Sequence, residues 1–287
     1  MPSTLFQALG ALACAVTFAS PALAAGGEGA DERGLPTSTL DLSYNLYVGG
    51  ITLGKVGMSA QLQGADYKAT STLETKGVVN AFWQAKIETS SNGTIGEDRV
   101  QPSLYDSFSV RRTGQRQEVT LTFNSDGPKS VYSNPPYEQD KYPVSETLKK
   151  RALDPLSAVL YLTTSFQANQ NKPCGVVAPV FDGRRRYNVA LSFVKRTDVH
   201  MDNGLYQGPA LVCQIHYDEV AGYKQKILEE GQKLPNIYAW VAAFQSTSDP
   251  GRHYLVPLRI WAETAYGIAV AVASEVKLDG SDVHGAS

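Results

Sequence analysis

Residues 1–24 lack Lys, Arg, Asp and Glu altogether, and the 287-residue chain is poor in His, Cys, Met and Trp, with four, three, three and three. Each scarcity excludes something. The uncharged start ends in Ala22-Leu23-Ala24 before a Gly/Ala linker, an apolar run with a small-x-small site, which is the pattern of a cleavable export signal. Solid apolar residues are too few for a membrane anchor. Gln7, Gly10, Thr17, Ser20 and Pro21 dilute the stretch from Leu5 to Ala25, and a span needs roughly 20. Met1-Pro2-Ser3-Thr4 lacks the basic residue that export signals usually carry, so an anchor stands as the alternative. Lipidation at Cys14 is a third, although Leu12 lies one place too late for the usual attachment motif.

Excess charge is absent too. The chain has 26 basic and 28 acidic residues, a net of −2, with none of the concentrated basic surface of nucleic-acid binders. There is no GxSxG elbow, HExxH, Walker loop, GxGxxG or Cys/His metal spacing, so no metal or other cofactor is expected. Ser192-Phe193-Val194-Lys195 spells SxxK, but in strand-like sequence, where positions three apart face opposite ways. Once Cys14 leaves with the signal, Cys174 and Cys213 remain as an even pair in an oxidising compartment. Their disulfide would close a loop of about 40 residues, worth roughly 4 kcal/mol.

Removing 24 of the 287 residues leaves 263, ample for a sizeable core. Residues 25–38 read as a flexible leader, 39–278 as one β-rich domain, and 279–287 as a polar, frayed tail. Period two begins with Leu40, Leu42, Tyr44, Leu46 and Val48, turns at Gly49-Gly50, and resumes with Val56, Met58, Ala60 and Leu62. Further strands are predicted at 67–73, 85–91, 104–112, 119–123, 176–181, 187–194, 205–217, 257–265 and 268–278. Asn92-Gly93, Thr113-Gly114, Asp126-Gly127 and Asp182-Gly183 serve as turns, and the Pro/Tyr/Ser/Asn-rich stretch 128–143 as a long surface loop. Helical spacing is clear in one segment. Asp154 caps and Pro155 starts a helix to about Ala168, with Leu156, Val159, Leu160, Thr163 and Phe166 on one face. A weaker helical pattern covers 78–84.

The expected fold class is therefore all-β: a curled antiparallel sheet or barrel-like single domain with one amphipathic helix against it. An outer-membrane barrel is disfavoured by charges on both strand faces, such as Arg111-Arg112 and Glu263, and by the helix and the cysteine pair.

Three places are candidate ligand contacts. Arg184-Arg185-Arg186, after the Asp-Gly turn, could cradle a phosphate or carboxylate, because guanidinium forks bind such groups bidentately. Arg259, between Leu258 and Ile260, needs a partner, which Glu263 is near enough to supply. Phe82-Trp83 could line an opening for apolar ligand, and His216 with Asp218 shares a strand face without an identified nucleophile.

Asp154-Pro155-Leu156-Ser157, then Phe181-Asp182-Gly183-Arg184-Arg185-Arg186-Tyr187, then Pro257-Leu258-Arg259, with Cys174 and Cys213, together resemble an exported proteobacterial family catalogued as domain of unknown function 3108. The resemblance runs from about residue 39 to 278. It implies a periplasmic, β-rich protein and brings no catalytic residues. The expectation that follows is an exported, non-catalytic protein holding an envelope lipid-like molecule or glycan, with no nucleic-acid partner. A hydrolase working through His216, or a scaffold on peptidoglycan or envelope proteins, is the alternative.

Overall fold

The structure is a computed structural model that describes residues 35–76, 84–96, 99–111, 114–137, 141–164, 174–231 and 234–283. Among these residues the first half is a meander of β1 (Thr37–Val48), β2 (Ile51–Gln63), β3 (Asp66–Thr75), β4 (Ala85–Ile95), β5 (Val100–Arg111), β6 (Arg116–Asn124) and β7 (Gly127–Asn134). Then come α1 (Glu146–Lys149), α2 (Pro155–Thr164), β8 (Val177–Phe181), β9 (Arg186–His200) and β10 (Gln207–Ala221). The chain finishes with α3 (Gln225–Glu230), β11 (Ile237–Gln245), β12 (His253–Thr264), β13 (Gly267–Leu278) and the two-residue β14 (Ser281–Asp282). The strands form one antiparallel sheet in the order β7-β6-β5-β4-β3-β2-β1-β13-β12-β11-β10-β9-β8, with β14 beside β13.

The all-β, barrel-like expectation holds. Pairing of β1 with β13 joins the two halves of the meander, and the sheet curls until its outer strands nearly meet. They are bridged by the stretch between the first two helices rather than by a ladder. Arg151 N–H donates to Asp126 O at 2.7 Å, while Leu153 exchanges hydrogen bonds of 2.8 Å with Pro179 O and Phe181 N–H. The barrel is thus clasped, not sealed.

Local sequence explains the best-predicted parts. Leu40, Leu42 and Tyr44 alternate into the core, and Gly49 and Gly50, with φ of 54° and 82°, make a turn that demands positive φ twice. Asp154 caps α2 as expected, its Oδ1 accepting from the N–H groups of Leu156 and Ser157 at 3.0 and 2.9 Å. The helix lies against β3, β4, β5, β8 and β12, so it fills the concave side of the sheet. Its buried residues are corrected to Leu156, Ser157, Ala158, Leu160 and Thr163; Val159 points outward, 43% exposed. Ser157 is inside because it closes a buried polar cluster. Its hydroxyl donates to Asp154 Oδ2, as does that of Ser91, and Tyr67 Oη lies 2.7 Å from Ser157 Oγ and 3.3 Å from Ser91 Oγ, within reach to donate to either.

Other expectations are corrected. Asn92-Gly93 is no turn but lies inside β4 at a register shift, where a Cβ on Gly93 would come within 2.2 Å of Gln101 O. The stretch assigned to a surface loop contains β7, the sheet's outermost strand on that side. Strand β11 fills the gap left between 217 and 257. The tail expected to fray from Asp279 starts with a knot, described below, and continues into β14. Cys174 and Cys213, both buried, bring their sulfurs to bonding distance with Cα atoms 6.0 Å apart. They sit with Leu211, Ala239, Val241 and Leu255 in a small cluster separate from the main core. Ala168, Phe166 and the weak 78–84 helix lie outside the described residues, apart from Gln84.

Candidate functional site

Antiparallel order sends alternate connections to the same end of the sheet. The Gly49-Gly50 turn, the β12–β13 turn at Ala265-Tyr266, the β5–β6 connection, the stretch between β10 and β11 and the β8–β9 turn all share one end, termed here the basic rim. The turns at Gly64, Asp126 and Gly280 share the far end.

The β8–β9 turn is fixed by its own sequence. Asp182 Oδ1 accepts from the backbone N–H groups of Arg184 and Arg185 at 2.9 and 2.6 Å. Gly183 sits at φ 92°, where an added Cβ would be 2.9 Å from Val119 Cγ1, so only glycine lets the turn lie against β6. Burial pushes the Asp182 carboxyl up, against the pull of the two amides and the adjacent guanidinium groups. The turn thereby aims two arginines over aromatic rings. Arg184 lies 5.9 Å from the Tyr137 ring centre and Arg185 5.4 Å from that of Tyr223. Tyr223 in turn shares a hydroxyl hydrogen bond with Tyr217, which stacks on Tyr187 at 4.6 Å.

Facing this turn are the ends of β5 and β6. Arg111, Arg116, Arg184 and Arg185 line one cleft of about 690 Å³ together with Ser109, Gln117 and Tyr137. Asp182 is the carboxylate in the lining. All four arginines are exposed, and among the described residues none of them forms an ion pair. On a chain with a net charge of −2, this is a local concentration of positive charge that Asp182 offsets only in part.

The candidate residues separate into groups. Arg184 and Arg185 belong to the cleft. Arg186 does not: strand alternation turns it inward, where its Nε donates to Leu148 O at 2.9 Å and its guanidinium to Tyr187 O and Asn188 Oδ1. It is a strut, its pKa lowered by burial. Arg259 stands apart on β12 and is not paired with Glu263. It lies over Trp240 at 5.2 Å and Trp261 at 5.8 Å, with its Nε buried and unbonded. Register sets this patch, placing Trp240 opposite Arg259 and Tyr238 opposite Trp261. Phe82 and Trp83 lie outside the described residues. His216 bonds not to Asp218 but to Ser192, Nε2 to Oγ at 2.8 Å. Among the described residues no three His, Cys, Asp or Glu side chains stand together as a metal site, and no helix is long and apolar enough to cross a membrane.

Residues 43–274 match the family described as a protein of unknown function (DUF3108). The chain belongs to that family. No curated protein matches it. Among solved structures, it is similar to a beta-barrel-like protein of domain of unknown function DUF1849 from Brucella abortus. That likeness has 9% identity and a TM-score of 0.49, covering 87% of this chain and 99% of the other.

Arg111 and Arg116 were missed as site residues in this DUF3108 member. The available signal was weak: they bracket Gly114 much as Arg184 follows Gly183, but only the curl of the sheet brings the two turns together.

Proposed function

We propose that this protein is exported to the periplasm, with its leader removed near Ala24, and acts there as a non-catalytic binder of an anionic envelope molecule, lipid-like or glycan. The observation that carries this is the convergence of Arg111, Arg116, Arg184 and Arg185 on one cleft with no ion-pair partners among the described residues. Guanidinium forks suit phosphate and carboxylate oxygens, and the cleft volume falls in the range of small-molecule sites. Its polar lining favours a charged headgroup over an acyl chain. The concave side of the sheet, where an apolar ligand would go, is occupied by α2.

Equilibrium dialysis with glycerol phosphate as the probe tests this. Wild-type protein should bind it, more weakly as salt rises, and Arg184→Gln with Arg185→Gln should weaken binding about tenfold, as for losing one charge-assisted bidentate contact. Equal binding by both proteins would overturn the reading. Amino-terminal sequencing of periplasmic extract should begin near Ala25.

One contact favours the hydrolase alternative, the Ser192–His216 hydrogen bond. No described acid orients that imidazole, and neither residue lines the arginine cleft. Labelling of Ser192 by a fluorophosphonate, abolished by His216→Ala, would establish it.

A further inference from the structure

The basic rim carries a second feature. The β1–β2 and β12–β13 turns are neighbours, because β1 pairs with β13, and Gly49 N–H donates to Ile268 O at 3.0 Å. Their tips hold Ile51, Tyr266 and Ile268, which are 53%, 85% and 48% exposed. Soluble surfaces scatter single apolar side chains freely, but here three large ones share adjoining tips. They stand at the same end of the strands as the four exposed arginines of the cleft.

We infer that this rim is a docking surface for an anionic lipid bilayer, with the arginine cleft taking a phosphate headgroup and the two tips entering the interface. The inference rests on the proposed function and deepens it, since it places the anion in a membrane rather than free in solution. The chemistry is complementary on both counts. Tyrosine, with an apolar ring and a wet hydroxyl, suits the headgroup boundary, and isoleucine suits the acyl region just beneath. Peripheral binding that is stable needs two weak signals acting together, apolar insertion and basic charge, and the register places both at one end of the sheet. Glu263 stands opposite Ile268 and, with Glu229 and Glu230 of α3 at the same end, opposes attraction to anionic lipid; the arginines are gathered in one cleft. No strand edge is needed for this contact, because Tyr266 projects beyond the last ladder pair, Thr264 with Gly267, while Ile51 and Ile268 sit in or next to the last pairs of their hairpins.

The test uses the mature chain with two probes: glycerol phosphate in solution, and phosphatidylcholine vesicles containing about a third phosphatidylglycerol. Ile51→Ser, Tyr266→Ser and Ile268→Ser combined should cut vesicle co-sedimentation about tenfold or more and leave glycerol phosphate binding unchanged. Arg184→Gln with Arg185→Gln should weaken both. A separate Tyr266→Trp variant should show a blue-shifted emission component, quenched by brominated lipid, only when vesicles are anionic. Vesicle binding unaffected by the tip substitutions, or no quenching, would overturn the docking surface while leaving the headgroup reading intact. Loss of glycerol phosphate binding in wild type would overturn the headgroup reading itself. Concentration-dependent self-association that the tip substitutions abolish, without vesicle binding, would show that the tips meet another protein and would equally overturn the inference.

Discussion

At the far end of the sheet one carboxylate, Asp279, takes hydrogen bonds from six donors: the hydroxyls of Ser38, Ser246 and Thr247 and the amides of Thr39, Thr247 and Ser248. At the basic rim four arginines share a cleft in which Asp182 is the carboxylate among the described lining residues. The far end ties the start of β1, the β11–β12 connection and the end of β13 into one knot. The rim leaves its arginines exposed to solvent. Fastening and exposed positive charge are thus divided between the ends. A second carboxylate, Asp154, sharpens the contrast inside the far half. It is fully buried and accepts from two amides and two hydroxyls, with no cation among the hydrogen-bond and ion-pair partners described.

The largest expected effect is on α2. Asp154→Ala removes the cap and orphans Ser91, Ser157 and two amides in the core, which should cost about 3 kcal/mol by urea unfolding, where a solvent-exposed cap would cost about 1. Pro155→Ala should do little, because the first helical position has no amide partner to lose. A cost below 1 kcal/mol for Asp154→Ala would mean that the cluster is not closed.

Next is Asp279→Ala, expected to cost about 2 kcal/mol, discounted because the carboxylate is partly exposed to solvent. The two acids should also differ in the sign of their pH dependence. Burial alone would raise Asp279, but the Ser248 amide, the Ser246 hydroxyl, the Thr39 amide and the Ser38 hydroxyl outweigh it and hold the carboxyl well below its ordinary 3.8. Its contribution is present above pH 3.8 and is lost as pH falls towards the folded value. Burial raises Asp154 despite its four donors. Its ionisation in the fold therefore costs stability as pH rises from 3.8 through the raised value. Unfolding curves of wild type, Asp279→Asn and Asp154→Asn across acid pH should show these opposite slopes; parallel slopes would break the comparison.

The smallest effects belong to the rim. Arg184→Gln with Arg185→Gln should change stability by under about 0.5 kcal/mol, because exposed charges contribute little. Arg186→Gln should cost about 2 kcal/mol, since it breaks a buried strut. If the exposed pair proved as costly as Arg186, the rim would be structural and the division between the ends would fail.

Legibility from sequence followed the same division. Turns written in glycine and aspartate were plain: Gly49-Gly50, Asp182-Gly183 and Asp154-Pro155 each carry their own conformational reason. Strand β7 was hidden because it has one neighbour and a half-exposed, polar composition, with prolines at positions 128 and 135. Strand β11 was hidden for the opposite cause. Ala239 and Val241 face the small cysteine cluster while Trp240, Ala242 and Phe244 face the main core, so both faces are apolar and no alternation is left to read. At the site, the local half was legible in Arg184 and Arg185. The other half, Arg111 and Arg116, joins it only through closure of the whole sheet, and Arg186 was misassigned because the inward turn at the start of β9 is decided by packing.

The clasp between the outer strands has one more consequence. A sealed barrel has its radius fixed by the number and stagger of its strands. In this one the two walls of the arginine cleft are carried by strands on either side of the seam, which share no ladder. The gap between the walls is therefore governed by a few specific contacts, Arg151 on Asp126, Leu153 on Pro179 and Phe181, and Gly183 against Val119. The bore is a property of the linking segment and the Gly183 turn, open to tuning by changes there that leave every strand pair untouched.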